Sequence, residues 1–213
     1  MKKKVIWGVV LLFGFALITI LYSQSLRANT DRAEENNEEQ YTEAKVTVIE
    51  ADYDLMENIQ EVDQSSTLIV KGTFTGNRTL KEWVDEPTNT VVATASKSDV
   101  QVEKVLKGEL ENKTISVYEP AYFQDQRFIS IEGYNLMEKG HDYVLFLRPM
   151  KDDETYVIVG MYQGKYDLDV SEPVKQLQNI QTYEDIKGVE YFGGNIDQFN
   201  ELKSQVKKRY NLD

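Results

Sequence analysis

One histidine, three short runs of carboxylates and one aromatic edge are the side chains whose type and spacing could do chemistry in this chain. His141 stands beside Asp142 at the mouth of an apolar run. An imidazole is the usual general base near neutral pH, but Ser/His/Asp hydrolysis also needs a framed nucleophile, and no Gly-x-Ser-x-Gly occurs. The pair reads as turn-side polarity, so no catalytic residue is assigned. Carboxylates gather at Asp52 and Asp54, at Asp152, Asp153 and Glu154, and at Asp167 and Asp169. Calcium takes about six to eight oxygens, and none of these groups has the Asp-x-Asp-x-Asp-Gly loop spacing. A charged hairpin turn accounts for the second group and outward alternation along a strand for the third, so neither a metal ligand nor a cofactor is assigned. Paired carboxylates for glycoside hydrolysis sit far apart in sequence, which keeps a carboxylate-based hydrolase as the alternative. Tyr118, Tyr122 and Phe123 flank Pro120, and aromatic residues are enriched at contact hot spots. They are the interaction residues the sequence offers, against the plainer reading that they pack inward.

These residues need a scaffold, and its centre is Gly140 to Arg148. Five consecutive large apolar side chains, Tyr143 to Leu147, fill that run and Pro149 closes it. The lack of alternation implies a strand buried on both faces, and the run is too short for a core helix. Before it, Val46 to Ile49 reads as a short strand. Tyr53 to Val62 reads as an amphipathic helix on Leu55, Ile59 and Val62, capped by Asp52 or Asp54. Thr67 to Phe74 is a strand with a bulge or bend at Gly72. Residues 76 to 90 read as a loop carrying Trp83, Thr90 to Leu106 as a long β segment, and Thr114 to Tyr118 as the next strand. Glu119 to Glu138 is expected to be an irregular lid, rich in apolar groups. Strands follow at Tyr156 to Met161 and Lys165 to Val170, with a turn at Gln163-Gly164. The segment from 174 to 192 carries no clear signal. Ile196, Phe199, Leu202, Val206 and Tyr210 then recur at spacings of three and four, which predicts a helix docked by one face.

The first residues belong to targeting. Lys2, Lys3 and Lys4 form a basic cytoplasmic N-terminus (1–4), and the uncharged run Val5 to Tyr22 spans about 27 Å as a helix. Residues 5–22 are read as a signal-anchor through the lipid bilayer, with Ser23-Gln24-Ser25 leaving cleavage and secretion open. An acidic, polar spacer follows (23–45), and lysines before the span put the main domain (46–213) outside the membrane. The chain of 213 residues has a net charge of -12. That charge argues against a nucleic-acid partner, because phosphate binding needs a basic patch. With no cysteine, disulfides, thiol nucleophiles, thiolate metal sites and lipid attachment through a lipobox are excluded.

Five or six short strands with an early and a late helix describe a mainly β (β+α) fold. A small β-barrel of the oligonucleotide/oligosaccharide-binding (OB) type is favoured over an immunoglobulin-like sandwich, which needs more strands. A helix leading into Leu68-Ile69-Val70-Lys71-Gly72-Thr73, then Val100-Gln101-Val102-Glu103-Lys104-Val105-Leu106-Lys107-Gly108, then Gly140-His141-Asp142-Tyr143-Val144-Leu145-Phe146-Leu147, resembles the netrin/TIMP-like module in its cysteine-free bacterial surface versions. The resemblance covers about residues 52 to 170. It implies a five-stranded barrel used for protein contacts outside the cell. The metalloproteinase inhibitors of that family chelate zinc through an N-terminal cysteine; here an apolar span stands in that position, so that route is not carried over. The expectation is a non-enzymatic, membrane-anchored extracytoplasmic binding protein of the bacterial cell envelope, with a protein partner at the cell surface. The envelope-polymer hydrolase is the alternative, and a subunit acting through its span is a third class.

Overall fold

The computed structural model describes residues 41–151 and 154–212. The expected basic N-terminus, the span at 5–22 and most of the spacer lie outside these residues. Within them, no helix is long and apolar enough to cross a membrane. Residues Glu43 onward form one compact unit, mainly β with a long C-terminal helix.

Strand β7 (Asp142–Pro149) is its centre. Tyr143, Val144, Leu145, Phe146 and Leu147 are each no more than 1% exposed, so both faces of the strand are covered, as the unbroken apolar run requires. On one edge β7 pairs antiparallel with the start of β2 (Leu68–Asp85), from Leu68↔Leu147 to Thr73↔Asp142. Its other edge is shared. β9 (Lys165–Asp167) takes Tyr143 to Leu145, and β8 (Thr155–Ile158) takes Leu147 to Pro149.

β2 also pairs with β3 (Thr90–Lys107), β3 with β4 (Thr114–Glu119), and β4 runs parallel to β8. The pairings thus pass β2–β3–β4–β8–β7 and return to β2. The sheet is nonetheless not the regular barrel expected. The β4–β8 and β7–β8 ladders hold three residue pairs each, and β9 occupies the rest of the β7 edge. Closure is partial because those closing strands are short. Curvature comes from register shifts in β2, one of them between Lys71 and Gly72. A Cβ on Gly72 would lie 2.6 Å from the Gln101 carbonyl oxygen, so the close approach of the two strands at this bend requires glycine.

Two expectations fail here. The loop expected at 76–90 is an antiparallel ribbon: β2 continues to Asp85, β3 begins at Thr90, and Trp83 sits opposite Ala93. A ribbon wetted on much of its surface has no buried face to impose alternation, so β2 beyond Phe74 looks like loop, while β3 follows the β segment expected from Thr90. The irregular lid expected at Glu119 to Glu138 contains a hairpin, β5 (Ala121–Gln124) and β6 (Arg127–Ile131). Its two turn residues, Asp125 and Gln126, both have left-handed φ, the signature of a tight hairpin turn made without glycine. Strand β1 (Lys45–Ile49) adds in parallel to β6, completing a second, three-stranded sheet.

Helix α1 runs from Ile59 to Ser65, later than expected, because Asn58 rather than Asp52 or Asp54 caps it; the Asn58 side chain accepts from the Glu61 N–H. Ile59 and Val62 are buried, whereas Leu55 is exposed. Helix α2 (Ile196–Tyr210) buries Ile196, Phe199, Leu202 and Val206, and carries Lys207, Lys208 and Arg209 where its dipole favours cations. Phe199 stacks at 5.8 Å on Tyr166 of β9. The strand expected to Met161 stops at Ile158 and gives way to a 3-10 turn, Met161–Gly164, and the strand expected to Val170 stops at Asp167. A second 3-10 turn, Tyr183–Ile186, lies in the segment that carried no signal.

Candidate functional site

Alternation along β9 sets Lys165 beside Leu145 and Asp167 beside Tyr143, on the same face as those inward residues. The sheet therefore encloses charge. Lys165 is 2% exposed; its ammonium donates to the Asn135 carbonyl oxygen and lies 4.4 Å from the centre of the Tyr134 ring. Burial pulls its pKa below the ordinary lysine value, despite the opposing pull of Glu119, Glu190 and Asp167.

Glu119, at the end of β4, is fully buried. Its Oε1 accepts from Arg78 Nη2 at 2.9 Å and from the Ser98 hydroxyl; its Oε2 accepts from the Tyr134 hydroxyl at 2.9 Å and the Met137 N–H at 2.8 Å. Burial alone would raise this carboxyl. The charges of Arg78 and Lys165 and these hydrogen bonds outweigh it and hold the group below the ordinary glutamate range. Glu190 ion-pairs with Lys203 of α2 and accepts from the Asp167 N–H. Here burial wins and its pKa rises. Among the described residues no buried side-chain polar atom lacks a partner, so this interior network is internally satisfied.

The same network reaches the surface at the rim where β7 starts and β9 ends. His141 Nδ1 lies 2.9 Å from Asp167 Oδ2, and its Nε2 lies 3.7 Å from Glu138 Oε2. Burial depresses the imidazole, but the hydrogen bond to Asp167 and the charges of Asp167, Glu138 and Asp169 carry it above its ordinary value. Asp167 and Asp169 do not both face outward as alternation implied: Asp167 is buried and Asp169 exposed. Asp52 and Asp54 are exposed on the approach to α1, and Asp152 and Asp153 lie outside the described residues.

The three aromatic residues singled out by sequence part company. Tyr118 is buried and meets Trp83 edge-to-face at 4.9 Å. Phe123 is half-buried against Phe128 and Tyr183, each at 4.9 Å, and Tyr122 is half-exposed on β5. Exposed apolar side chains instead collect on the β2–β3 ribbon. Leu80, Val84, Val91 and Val92 are between 46% and 66% exposed, and they make up half of the large hydrophobic side chains that stand out among the described residues. Beyond the β7 ladder at Thr73 and the β4 ladder at Ser96, the outer edges of this ribbon pair with no further strand among the described residues. Leu80 and Val84 lie in the stretch that reads as loop, whereas Val91 and Val92 lie in the expected β segment from Thr90, whose exposure the sequence did not mark. No protein-family model matches the chain, and no curated protein does.

Proposed function

We propose that the chain is a non-enzymatic, membrane-anchored binding protein of the bacterial cell envelope, and that its β2–β3 ribbon meets a protein partner outside the membrane. The observation that carries this reading is the concentration of Leu80, Val84, Val91 and Val92 on one arm with unpaired backbone edges. Large apolar side chains left exposed together on one arm suit an interaction site, and open strand edges accept an added strand from a partner. Tyr118 supports the arm from below through Trp83, and Tyr122 and Phe123 follow it on β5, where Gln124 donates to Glu82 of the ribbon at 3.3 Å. The strand order β2–β3–β4–β8–β7–β2 supports an OB-like, partly open barrel. That order in turn supports the netrin/TIMP-like resemblance and the extracellular protein contacts it implies. The apolar run at 5–22 supports the anchor.

The test uses the full chain expressed in its membrane, with a photo-crosslinking residue at Val92 or, as a control, at Asp197 on α2. Capture of one defined protein from Val92 only, abolished by Val84→Asp, is the expected result. Equal capture from both positions overturns the ribbon as the contact. Cleavage of an envelope polymer by the purified chain overturns the non-enzymatic reading.

A further inference from the structure

We propose that His141, Asp167 and Asp169 form a binding site for one divalent first-row transition-metal ion. Antiparallel pairing of Tyr143 with Asp167 brings the start of β7 and the end of β9 to one rim. His141 precedes the one and Asp169 follows the other. Together with Asp167 each offers one donor atom, and the three atoms lie within 4.8 Å of one another. The 2.9 Å between His141 Nδ1 and Asp167 Oδ2 is about the separation of two adjacent ligands each held ~2.1 Å from a common ion. The ion takes the place of the proton these two atoms share.

The ligands are oriented from behind, as metal ligands generally are. The Asp169 N–H donates to Asp167 Oδ1 at 2.9 Å, and the Asp142 N–H donates to Asp169 Oδ2 at 2.7 Å. Glu138 adds a further carboxylate beside the imidazole. Among the described residues the imidazole is the one ion-pair partner that Glu138 and Asp167 have. Lys71 on the neighbouring strand is taken up by Asp142 and Glu103. The rim is therefore an acidic trio around an imidazole, which becomes a nitrogen ligand when the metal ion displaces its proton. One imidazole with carboxylates suits zinc, manganese, cobalt or nickel, whereas calcium prefers oxygen alone. Bound there, the ion ties β7 to β9 at the mouth of the interior network.

His141 is the only histidine in the chain, so its imidazole Cε1 proton gives one resonance that reports this site directly in the full-length protein. Titrating zinc chloride into the detergent-solubilised chain is expected to shift that resonance and to saturate at one ion per chain. His141→Gln, followed by calorimetry, and Asp169→Asn, followed by calorimetry and by the resonance, are each expected to weaken zinc binding about 10-fold or more. Asp169 is exposed, so its variant keeps the fold. An imidazole resonance that zinc leaves unmoved, or zinc bound equally well by both variants, overturns the site. Calcium that moves the resonance as zinc does overturns the choice of metal class.

Discussion

Arg78 Nη2 lies 2.9 Å from Glu119 Oε1, joining the ribbon side of β2 to the buried end of β4. The carboxylate has no solvent contact, while the guanidinium side chain keeps 24% of its surface. Removing the cation leaves a buried charge short of compensation, which typically costs about 3 kcal/mol or more. Arg78→Ala is therefore expected to lower unfolding free energy by about that amount. Glu119→Gln in the Arg78→Ala background should then cost less than it does alone, with a coupling of about 1 kcal/mol or more. Urea denaturation of the four species checks this, and strictly additive losses would refute it.

Gly72 is the second point of sensitivity. The added methyl of Gly72→Ala meets the Gln101 carbonyl oxygen at 2.6 Å and Val100 Cγ1 at 2.9 Å, and both belong to the adjacent strand rather than to a flexible tip. Overpacking of this kind costs about 1–3 kcal/mol. A fall in thermal midpoint is the expected outcome, whereas Gly140→Ala meets no neighbour within 4 Å and is limited to the cost of its positive φ.

Asp63 ties three elements together. Its carboxylate accepts from Lys107 of β3 at 2.8 Å, from Arg209 at 2.9 Å and from the Tyr210 hydroxyl at 3.1 Å. Burial acts to raise this group, but Lys107, Tyr210 and Arg209 more than offset it, and its pKa in the folded protein is depressed. Since the folded value is the lower one, its contribution to stability is fully present above the unfolded value of about 3.9. It is lost as pH falls through the folded value. Stability measured from pH 6 to pH 2 should decline more gently in Asp63→Asn than in the native chain, and parallel curves would contradict the role.

The ribbon should behave oppositely to the core. Val92 is 66% exposed, so Val92→Asp is expected to change unfolding free energy by no more than about 0.5 kcal/mol. A large loss would mean that the arm is packed in the molecule and unavailable to a partner.

What the sequence made legible follows physical necessity. β7 was visible because burial on both faces leaves five apolar residues in a row, and α2 because docking by one face imposes its spacing. The β3 arm of the ribbon was visible from Thr90 onward, but the β2 arm beyond Phe74 was not, since water on much of its surface demands no pattern. The β5–β6 hairpin hid behind Asp125-Gln126, a turn whose residues adopt left-handed φ without glycine. The interior charges were the least legible. Arg78 and Glu119 are 41 residues apart, and a lysine in a strand, such as Lys165, reads as outward-facing until its neighbours are known. His141 and the Asp167/Asp169 pair were visible as residue types, but only the β7–β9 pairing places them together.

Strands β2 and β3 are each 18 residues long and meet water along much of their joint length. Alignment of such a ribbon is weakly specified, because a one-step slip sacrifices few contacts there. The same slip would turn Arg78 to the opposite side, away from Ser98, which faces it across the ladder, and away from Glu119. A misaligned hairpin would thus leave an anion stranded in a dry interior. The carboxylate of Glu119 acts as a proofreader of strand alignment, rejecting pairings that the ribbon by itself would tolerate.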